Sequence, residues 1–315
     1  MGIDQQFIGR LLEGDRVTMA RAITIVENEH PHAIGLLKSI YAHTGKAYRV
    51  GITGPPGAGK STITNKLAKF YRNNNRRVGI IAVDPTSPFT GGALLGDRVR
   101  MTDVELDEGV FIRSMASRGS LGGLSKKTRE AADILDAAGC EFILMETVGV
   151  GQSELDIARA ADTTVVVLVP ESGDSIQAMK AGLMEIADFF VVNKSDRAGA
   201  EQAVMSIKMV LNFKHSVNSW NPDVLQTVAQ DGKGIDRIAA MIDTHRSFMK
   251  NHNILEGRRK ERIIERIREL VEEHLRVKFW NAERESLLSS EIGNILRFTS
   301  TPYDLAESLL KDFNK

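Results

Sequence analysis

One short segment limits what this chain can fold into more than any other. Residues 54–61 read GPPGAGKS and fit the phosphate-loop pattern GxxxxGK[ST] at every position. A short apolar run, 50–53, precedes the segment, and a helical pattern, 62–71, follows it. In this order of strand, loop and helix, the loop amides and the positive end of the helix dipole surround a bound phosphate. An accidental glycine-rich turn is the alternative, and the elements on either side make it the weaker interpretation.

The residues of this loop have separate chemical roles. Its glycines let successive N–H groups turn inward around a β-phosphate. Lys60 adds a mobile positive charge for the β- and γ-phosphates, and the hydroxyl of Ser61 can ligate Mg²⁺. The predicted nucleotide-binding residues of the loop are Gly54, Pro55, Pro56, Gly57, Ala58, Gly59, Lys60, Ser61 and Thr62.

Short β-rich runs continue along the chain, separated by segments long enough to form helices. Because the runs do not alternate polar with apolar residues, both faces of each strand should be covered, as in a parallel sheet between helices. The sequence therefore predicts an α/β fold, a P-loop NTPase with a mainly parallel sheet flanked by helices. The runs are 50–53, 78–83, 110–113, 142–146, 164–169, 189–193 and 224–228.

A second motif points to the base of the nucleotide. Residues 193–196 read NKSD and follow the apolar run 189–192. The carboxylate of Asp196 can accept hydrogen bonds from the N1–H and the exocyclic amino group of guanine, a donor pair that adenine lacks. Lys194 would lie along the base, and Asn193 would hold the loop. The tetrapeptide alone is a weak signal, but its position after a phosphate loop favours GTP.

Two acidic residues stand at predicted strand ends. Asp84 closes the second β-rich run, and Glu146 closes the fourth, directly before a TVGVG segment. A carboxylate in such a place can hold a Mg²⁺-bound water, and a following glycine such as Gly149 can offer its N–H to the γ-phosphate. A helix cap or a solvated strand end is the alternative for either acid taken alone.

Helical spacing of apolar residues marks both ends of the chain. The sequence predicts a helical N-terminal extension over residues 1–44, a GTPase domain over 45–248 and a helical C-terminal extension over 249–315. In the last of these, an apolar stripe over 263–279 is the candidate element for a homodimer. Packing of that stripe within the same chain is the alternative.

Composition limits the partners and the compartment. Lys plus Arg and Asp plus Glu number 41 each, so no net charge draws the chain to nucleic acid or to an anionic membrane. A single cysteine, Cys140, excludes an internal disulfide. The longest strongly apolar run, 165–169, is far shorter than the roughly 20 residues that span a bilayer. The amino terminus matches neither a signal peptide nor a transit peptide, and we expect a cytoplasmic protein.

Five motifs, in order, resemble the MeaB/ArgK-type GTPases of the SIMIBI class of P-loop proteins. The resemblance covers nearly the whole chain, including the helical extensions. Older labels for this family describe an arginine/ornithine transport kinase, but the guanine motif argues against an ATP-dependent kinase. The five motifs are 54–61, 83–87, 96–101, 146–154 and 193–196.

The resemblance implies a G-protein chaperone of an adenosylcobalamin-dependent acyl-CoA mutase, of the methylmalonyl-CoA mutase type. Such proteins gate cofactor loading, keep inactive cob(II)alamin from being trapped and use GTP hydrolysis to reset the mutase. A contact with the adenosyltransferase that supplies the cofactor belongs to the same implication. We expect slow intrinsic hydrolysis that the mutase accelerates.

The resemblance also assigns residues to roles. The first switch maps onto about 85–100, and the third switch, which conveys the nucleotide state to the mutase, maps onto about 170–180. The implied Mg²⁺ ligands are Ser61, Asp84, Asp97 and Glu146, and the implied catalytic residues are Lys60, Asp97, Arg98, Arg100 and Glu146. The polar members of the third switch are Asp174, Gln177 and Lys180, for which a plain loop with a helix cap is the alternative. The guanine pocket closes with Thr227, Val228 and Ala229, where a backbone N–H could reach the base carbonyl.

Two other functions remain open. A metal-insertion GTPase of the same class would need a histidine-rich tract or exposed Cys and His ligands near its switch. Here only His30 and His32 lie close together in the sequence, and a polar turn between helices is the preferred interpretation. A GTP-dependent adaptor would act through surfaces ordered by the nucleotide, without required turnover. Nothing in the residues selects which acyl-CoA mutase is served.

Overall fold

The computed structural model describes residues 3–85, 104, 106–117, 123–147, 153–170, 182–212 and 220–311. The chain divides into two compact units, Met1–Glu256 and Gly257–Lys315. The first unit holds the sheet and the nucleotide motifs, and the second is built from helices. The division into three functional domains stays a prediction.

The core of the first unit is a parallel sheet. Its seven described strands lie in the order β3-β2-β4-β1-β5-β6-β7, and every pair of neighbours is parallel. This architecture confirms the predicted α/β fold. The strands are β1 (Tyr48–Thr53), β2 (Val78–Pro85), β3 (Val110–Ser117), β4 (Phe142–Thr147), β5 (Thr163–Leu168), β6 (Phe189–Val192) and β7 (Val224–Gln226).

Helices precede, separate and follow the strands. In the first unit the described helices are α1 (Gln5–Leu12), α2 (Arg16–Glu27), α3 (Ala33–Ile40), α4 (Lys60–Asn73), α5 (Gly123–Ala137), α6 (Ser153–Ala160), α7 (Leu183–Ile186), α8 (Ala200–Asn212) and α9 (Ile235–Asn251). Helix α10 (Ile254–Phe279) begins in the first unit and continues into the second, which also contains α11 (Ala282–Leu296) and α12 (Pro302–Lys311). Short 3₁₀ helices cover Tyr41–His43 and Ala229–Asp231.

The central strands are buried on both faces, as their continuous apolar runs predict. Every residue of β4 and of β5 is buried. Val165 and Val167 of β5 pack in the same cluster as apolar residues of α4 and α9. On the other face, Ile143 and Met145 of β4 pack with residues of α1, α2, α3, α5 and α6. The sheet is thus held between two helical layers, which leaves the ends of its strands for chemistry.

The N-terminal helices form part of this second layer. Asp4 caps α1 by accepting a hydrogen bond from the N–H of Phe7 at 2.8 Å, and Asp15 caps α2 by accepting from the N–H of Thr18 at 2.8 Å. The hydrogen bonds from Thr18 lower the pKa of Asp15. Leu11 is fully buried in the same cluster as the α5 side chains. The helical pattern of the first residues therefore produces core-forming helices.

Carboxylates bind backbone N–H groups near the amino ends of the strands. Asp136 accepts from Gly45 at 2.7 Å and from Ala47 at 2.9 Å, so a buried side chain of α5 fixes the segment that enters β1. Asp162 accepts from the N–H of Arg49 at 3.0 Å, and Asp188 accepts from Thr164 at 2.8 Å. These contacts satisfy donors that would otherwise be buried without an acceptor.

The second unit leaves much apolar surface exposed. On α10, for example, the side chain of Ile264 is 40% exposed and that of Ile267 is 55% exposed. Leu305 and Leu309 of α12 are buried, and Asn281 caps α11 by accepting from the N–H of Arg284 at 2.9 Å. No helix among the described residues is long and apolar enough to cross a membrane.

We predict that Asp136→Ala destabilises the protein by about 3–5 kcal/mol, because it leaves buried N–H groups without their acceptor and removes one of the two carboxylates beside the guanidinium of Arg49. Chemical denaturation of the full chain measures this loss. Asp133→Ala is the matched control on the same helix; its carboxylate is 35% exposed and should cost about 1 kcal/mol or less. Equal losses in the two variants would contradict the assignment of Asp136 as the anchor of β1.

Candidate nucleotide-binding site

The strand register brings the sequence motifs to one edge of the sheet. Ile52 of β1 lies beside Glu146 of β4, and Thr53 lies beside Val166 of β5. The next strand, β6, ends at Val192, directly before the NKSD motif. Because the strands are parallel, the segments that follow β1, β4 and β6 all emerge at the carboxyl edge, where ligands bind in open α/β sheets.

The backbone of the phosphate loop requires glycine at two closely packed positions. Gly54 has φ +134° and Gly59 has φ +90°, values that other residues rarely adopt. A Cβ on Gly54 would lie 2.0 Å from the carbonyl oxygen of Val167. A Cβ on Gly59 would lie 2.3 Å from the side-chain nitrogen of Asn193. The loop therefore packs directly against β5 and against the guanine motif.

Lys60 begins α4 and is folded over the loop. Its ammonium group donates to the carbonyl oxygens of Gly54 at 2.9 Å and Pro55 at 3.0 Å, and the residue is buried. The amino end of a fourteen-residue helix lies at the same place, so its dipole adds positive potential to that of the ammonium. This arrangement can attract and orient the phosphates of a nucleotide.

Ser61 and Glu146 meet beside the loop. The hydroxyl of Ser61 donates to Oε1 of Glu146 at 2.5 Å, and Glu146 is buried at the end of β4. A hydroxyl and a carboxylate are the hard oxygen donors that Mg²⁺ prefers, so this pair fits the predicted metal. The hydroxyls of Thr53 and Thr147 lie 3.0 Å apart in the neighbouring strands and add polar atoms next to the pair.

Glu154 is a site residue that the sequence did not single out. It lies in the first turn of α6 and is partly buried. Burial raises the pKa of its carboxyl group, and the positive charge of Lys60 opposes that shift. Glu154 therefore shares the electrostatic environment of the phosphate loop. Its place in the 146–154 motif was the only signal available, and the motif alone gives no contact.

The side chain of Asn193 ties three loops together. Its amide nitrogen donates to the carbonyl oxygen of Ala58 in the phosphate loop at 2.9 Å. Its amide oxygen accepts from the hydroxyl of Thr227 at 3.1 Å and from the N–H of Ala229 at 3.0 Å. Asn193 is buried, so these hydrogen bonds lie in a low dielectric, where they are electrostatically stronger than in water. The loop that contains the NKSD motif, 193–196, is called the base loop below. Asn193 thus joins the base loop, the phosphate loop and the segment after β7 into one framework.

Lys194 adds a second link to the phosphate loop. It has a left-handed backbone, φ +55°, and its ammonium donates to the carbonyl oxygen of Gly57 at 2.8 Å. Asp196 is exposed, so its carboxylate is accessible to a ligand. The N–H of Ala229 already donates to Asn193, and Val228 N–H donates to Lys233 at 3.1 Å. A contact from this segment to the base carbonyl stays a prediction.

Several predicted residues lie outside the described part of the chain. They are Asp97, Arg98, Arg100, Gly149, Asp174, Gln177 and Lys180. For Asp84, only the backbone is described, at the end of β2 beside Ala116 of β3. Their roles stay predictions. In the described ranges, no group of three or more His, Cys, Asp and Glu side chains could hold a metal ion.

Comparisons with known proteins agree with this geometry. The family model described as methylmalonyl-CoA mutase-associated GTPase MeaB matches residues 19–284. A Pyrococcus abyssi protein with a GTPase name is 48% identical over 314 residues, which cover 98% of this chain and 96% of that protein. The GTPase ArgK of Escherichia coli is 38% identical over 276 residues, 85% of this chain and 83% of the relative.

A solved structure gives the same result for the fold. The crystal structure of a LAO/AO transport system kinase superposes with a TM-score of 0.74 at 28% identity and covers 100% of both chains. Its name matches the older label for the family, while the guanine motif and the GTPase relatives indicate GTP as the nucleotide. The chain therefore belongs to the MeaB family of methylmalonyl-CoA mutase-associated GTPases, and it binds GTP and hydrolyses it to GDP and phosphate.

Proposed function

We propose that this GTPase is a chaperone of an adenosylcobalamin-dependent acyl-CoA mutase of the methylmalonyl-CoA mutase type. In this role it gates cofactor loading, protects the mutase and reactivates it, and it works in the cytoplasm. The observation that carries the proposal is the match of the mutase-associated family model to residues 19–284, which include every nucleotide motif. A contact with the adenosyltransferase that supplies the cofactor is part of the same proposal.

In the proposed mechanism the phosphate loop positions GTP, and the ammonium of Lys60 turns from the carbonyls of Gly54 and Pro55 to the β- and γ-phosphates. Asn193 keeps the base loop in register with the phosphate loop, and Asp196 selects guanine. Phosphoryl transfer depends mainly on position and charge, so the rigid framework around Asn193 serves catalysis as well as binding.

Ser61 and Glu146 are the proposed holders of Mg²⁺, together with Asp84 and Asp97. Bound Mg²⁺ supplies positive charge against the oxygens of the β- and γ-phosphates. Ser61 and Glu146 are already in contact, so both oxygens lie where Mg²⁺ would be held: the hydroxyl of Ser61 would keep its proton and offer a lone pair, and Glu146 would offer its carboxylate. Arg98 and Arg100 are proposed to place further positive charge at the transferring phosphoryl group, and Gly149 offers its N–H to the γ-phosphate.

The mutase is proposed to complete the site. Hydrolysis by the chain alone is proposed to be slow, because the mutase supplies contacts that help to position the catalytic groups. Asp174, Gln177 and Lys180 of the third switch are proposed to carry the nucleotide state to the mutase surface. In this way, GTP hydrolysis would change the conformation of the surface that this GTPase presents to the mutase.

The C-terminal helices are proposed to form a homodimer. Ile263, Ile267 and Val271 lie at i, i+4 and i+8 on α10 and are 48, 55 and 51% exposed, so they form one apolar face. A symmetric pair of such faces would bury it against a second copy of the chain.

The chaperone role predicts that recovery of an inactivated methylmalonyl-CoA mutase from the same organism requires hydrolysis. The mutase, incubated with this protein and adenosylcobalamin, should recover activity with GTP and not with GDP or a non-hydrolysable GTP analogue. Equal recovery with the analogue would favour an adaptor without turnover. No effect of any nucleotide would overturn the chaperone proposal while leaving the GTPase assignment intact.

The base assignment predicts a change of specificity in Asp196→Asn. The amide oxygen of asparagine can still accept from N1–H, but its NH₂ group can only donate to the group at C2. Guanine has a donor, an amino group, at C2, so GTP affinity should fall by on the order of 100-fold. Xanthine has an acceptor, a carbonyl oxygen, at C2, so xanthosine triphosphate should gain affinity. Calorimetric titration of both nucleotides measures the change. Asp236→Asn on α9 is the matched control and should leave both affinities unaltered. Unchanged GTP affinity in Asp196→Asn would show that another group reads the base.

The dimer proposal predicts that Ile267→Glu yields monomers, because a buried unpaired carboxylate costs several kcal/mol. Sedimentation equilibrium at about micromolar concentration, where interfaces of standard size are normally intact, provides the measurement. Glu272→Lys, a change of charge at an exposed residue of the same helix, is the control and should keep the wild-type mass. A wild-type protein that is already monomeric would remove the proposal.

A further inference from the structure

A groove lies between the N-terminal helices and the edge strand of the sheet, away from the nucleotide motifs. Its walls come from α1 and α2 on one side and from β3 on the other. The groove has a volume of about 650 Å³, within the range of small-molecule sites. The lining is mainly apolar, with Ile3, Phe7, Val17, Ile25, Phe111 and Ile112 among its residues.

Among the described residues, the lining of the groove carries positive charge and no acidic side chain. Arg16, Arg21 and Arg113 are the charged lining residues in the described part of the chain. Arg113 is paired with the carboxylate of Glu27, which compensates its charge. Arg16 donates to the backbone carbonyl of Asp107 at 2.9 Å, a neutral acceptor, and forms no ion pair with a described residue.

Arg21 lies one turn after Val17 on the same face of α2, and Arg16 lines the groove from another face of that helix. Arg21 is exposed and forms no ion pair with any described residue. Val17 is an apolar residue of the groove lining, yet its side chain is 54% exposed. The groove therefore joins these two guanidinium groups to an apolar wall that is only partly covered. A guanidinium pairs with carboxylates through parallel hydrogen bonds, and an apolar wall favours a hydrocarbon chain.

We propose that this groove binds a small amphiphilic anion, a carboxylate attached to an aliphatic chain. The carboxylate pairs with the guanidinium of Arg21, Arg16 adds positive potential at the margin of the groove, and the chain lies along Phe7, Val17 and Ile112. The positive charge selects an anion over a neutral molecule of the same shape. The apolar lining selects a chain of several carbons over a short carboxylate such as acetate.

Octanoate, octanol and acetate are suitable probes for the full-length protein. Calorimetric titration should give a Kd for octanoate below about 1 mM, with octanol and acetate each at least about fivefold weaker. Equal binding of octanoate and octanol would overturn the proposal, because it would show that the arginines do not read charge. Absence of octanoate binding up to about 10 mM would overturn it as well.

Two variants and a control place the binding in the groove. Arg21→Gln should weaken octanoate binding by about fivefold or more, and Val17→Glu should abolish it by adding a carboxylate at the wall. Both residues are exposed, so thermal unfolding should match the wild type. Arg237→Gln on α9 removes an exposed arginine outside the groove and should have no effect.

Other occupants give different results. Unchanged octanoate affinity in Arg21→Gln and Val17→Glu would place the molecule elsewhere on the protein and overturn the proposal. A different result is that octanoate binds neither the wild type nor Val17→Glu, while Val17→Glu changes the sedimentation coefficient of the protein. The groove is then a contact between copies of the chain, and the proposal of an anion site is overturned.

Discussion

The site depends on the side-chain amide of Asn193. Its nitrogen donates to Ala58 of the phosphate loop, and its oxygen accepts from Thr227 and Ala229 after β7. An amide has both donors and an acceptor in one rigid plane, so a single side chain can fix three loops that come from distant parts of the sequence. Without it, the exposed contact from Lys194 to Gly57 would be the remaining described side-chain link between the loop at 193–196 and the phosphate loop. Gly59 allows the contact of Asn193 with the phosphate loop, because any Cβ there would collide with the amide.

The parallel sheet explains why such a framework forms at this edge. Full burial of β4 and β5 leaves the backbone polar groups of the strands satisfied by their neighbours, and only the strand ends remain open. Near the amino ends of the strands, Asp136, Asp162 and Asp188 bind backbone N–H groups and stabilise the entry to the strands. At the carboxyl edge, Lys60, Ser61 and Glu146 are polar groups whose contacts a nucleotide and a metal can replace. The two ends of the sheet thus serve stability and chemistry separately.

Much of the fold could be predicted from the sequence. The apolar runs predicted all seven strands, because a buried parallel strand leaves a continuous apolar pattern that no turn interrupts. The phosphate loop was predictable for a different reason: its backbone geometry requires glycines at fixed spacing, as the values at Gly54 and Gly59 illustrate. Strand ends shifted by a few residues, as at β7, which ends at Gln226 rather than at residue 228.

Contacts between distant residues could not be predicted in the same way. The hydrogen bond from Asn193 to Ala58 joins residues 135 positions apart, and periodicity carries no information on such pairs. Glu154 near Lys60 and Asp136 below β1 were missed for the same reason. The apolar face of α10 was visible as a pattern, but the sequence does not tell whether its own chain or a second copy covers it. The groove beside β3 depends on how α2 meets the sheet, which only the fold reveals.

We propose that the framework around Asn193 holds a guanine nucleotide whose phosphates meet Lys60. Calorimetric titration of the wild type and of Lys60→Ala with GTP and ATP in magnesium buffer measures whether it does. We expect tight GTP binding and much weaker ATP binding in the wild type, and loss of tight GTP binding in Lys60→Ala. Equal affinity for ATP and GTP, or normal GTP binding by Lys60→Ala, would contradict it.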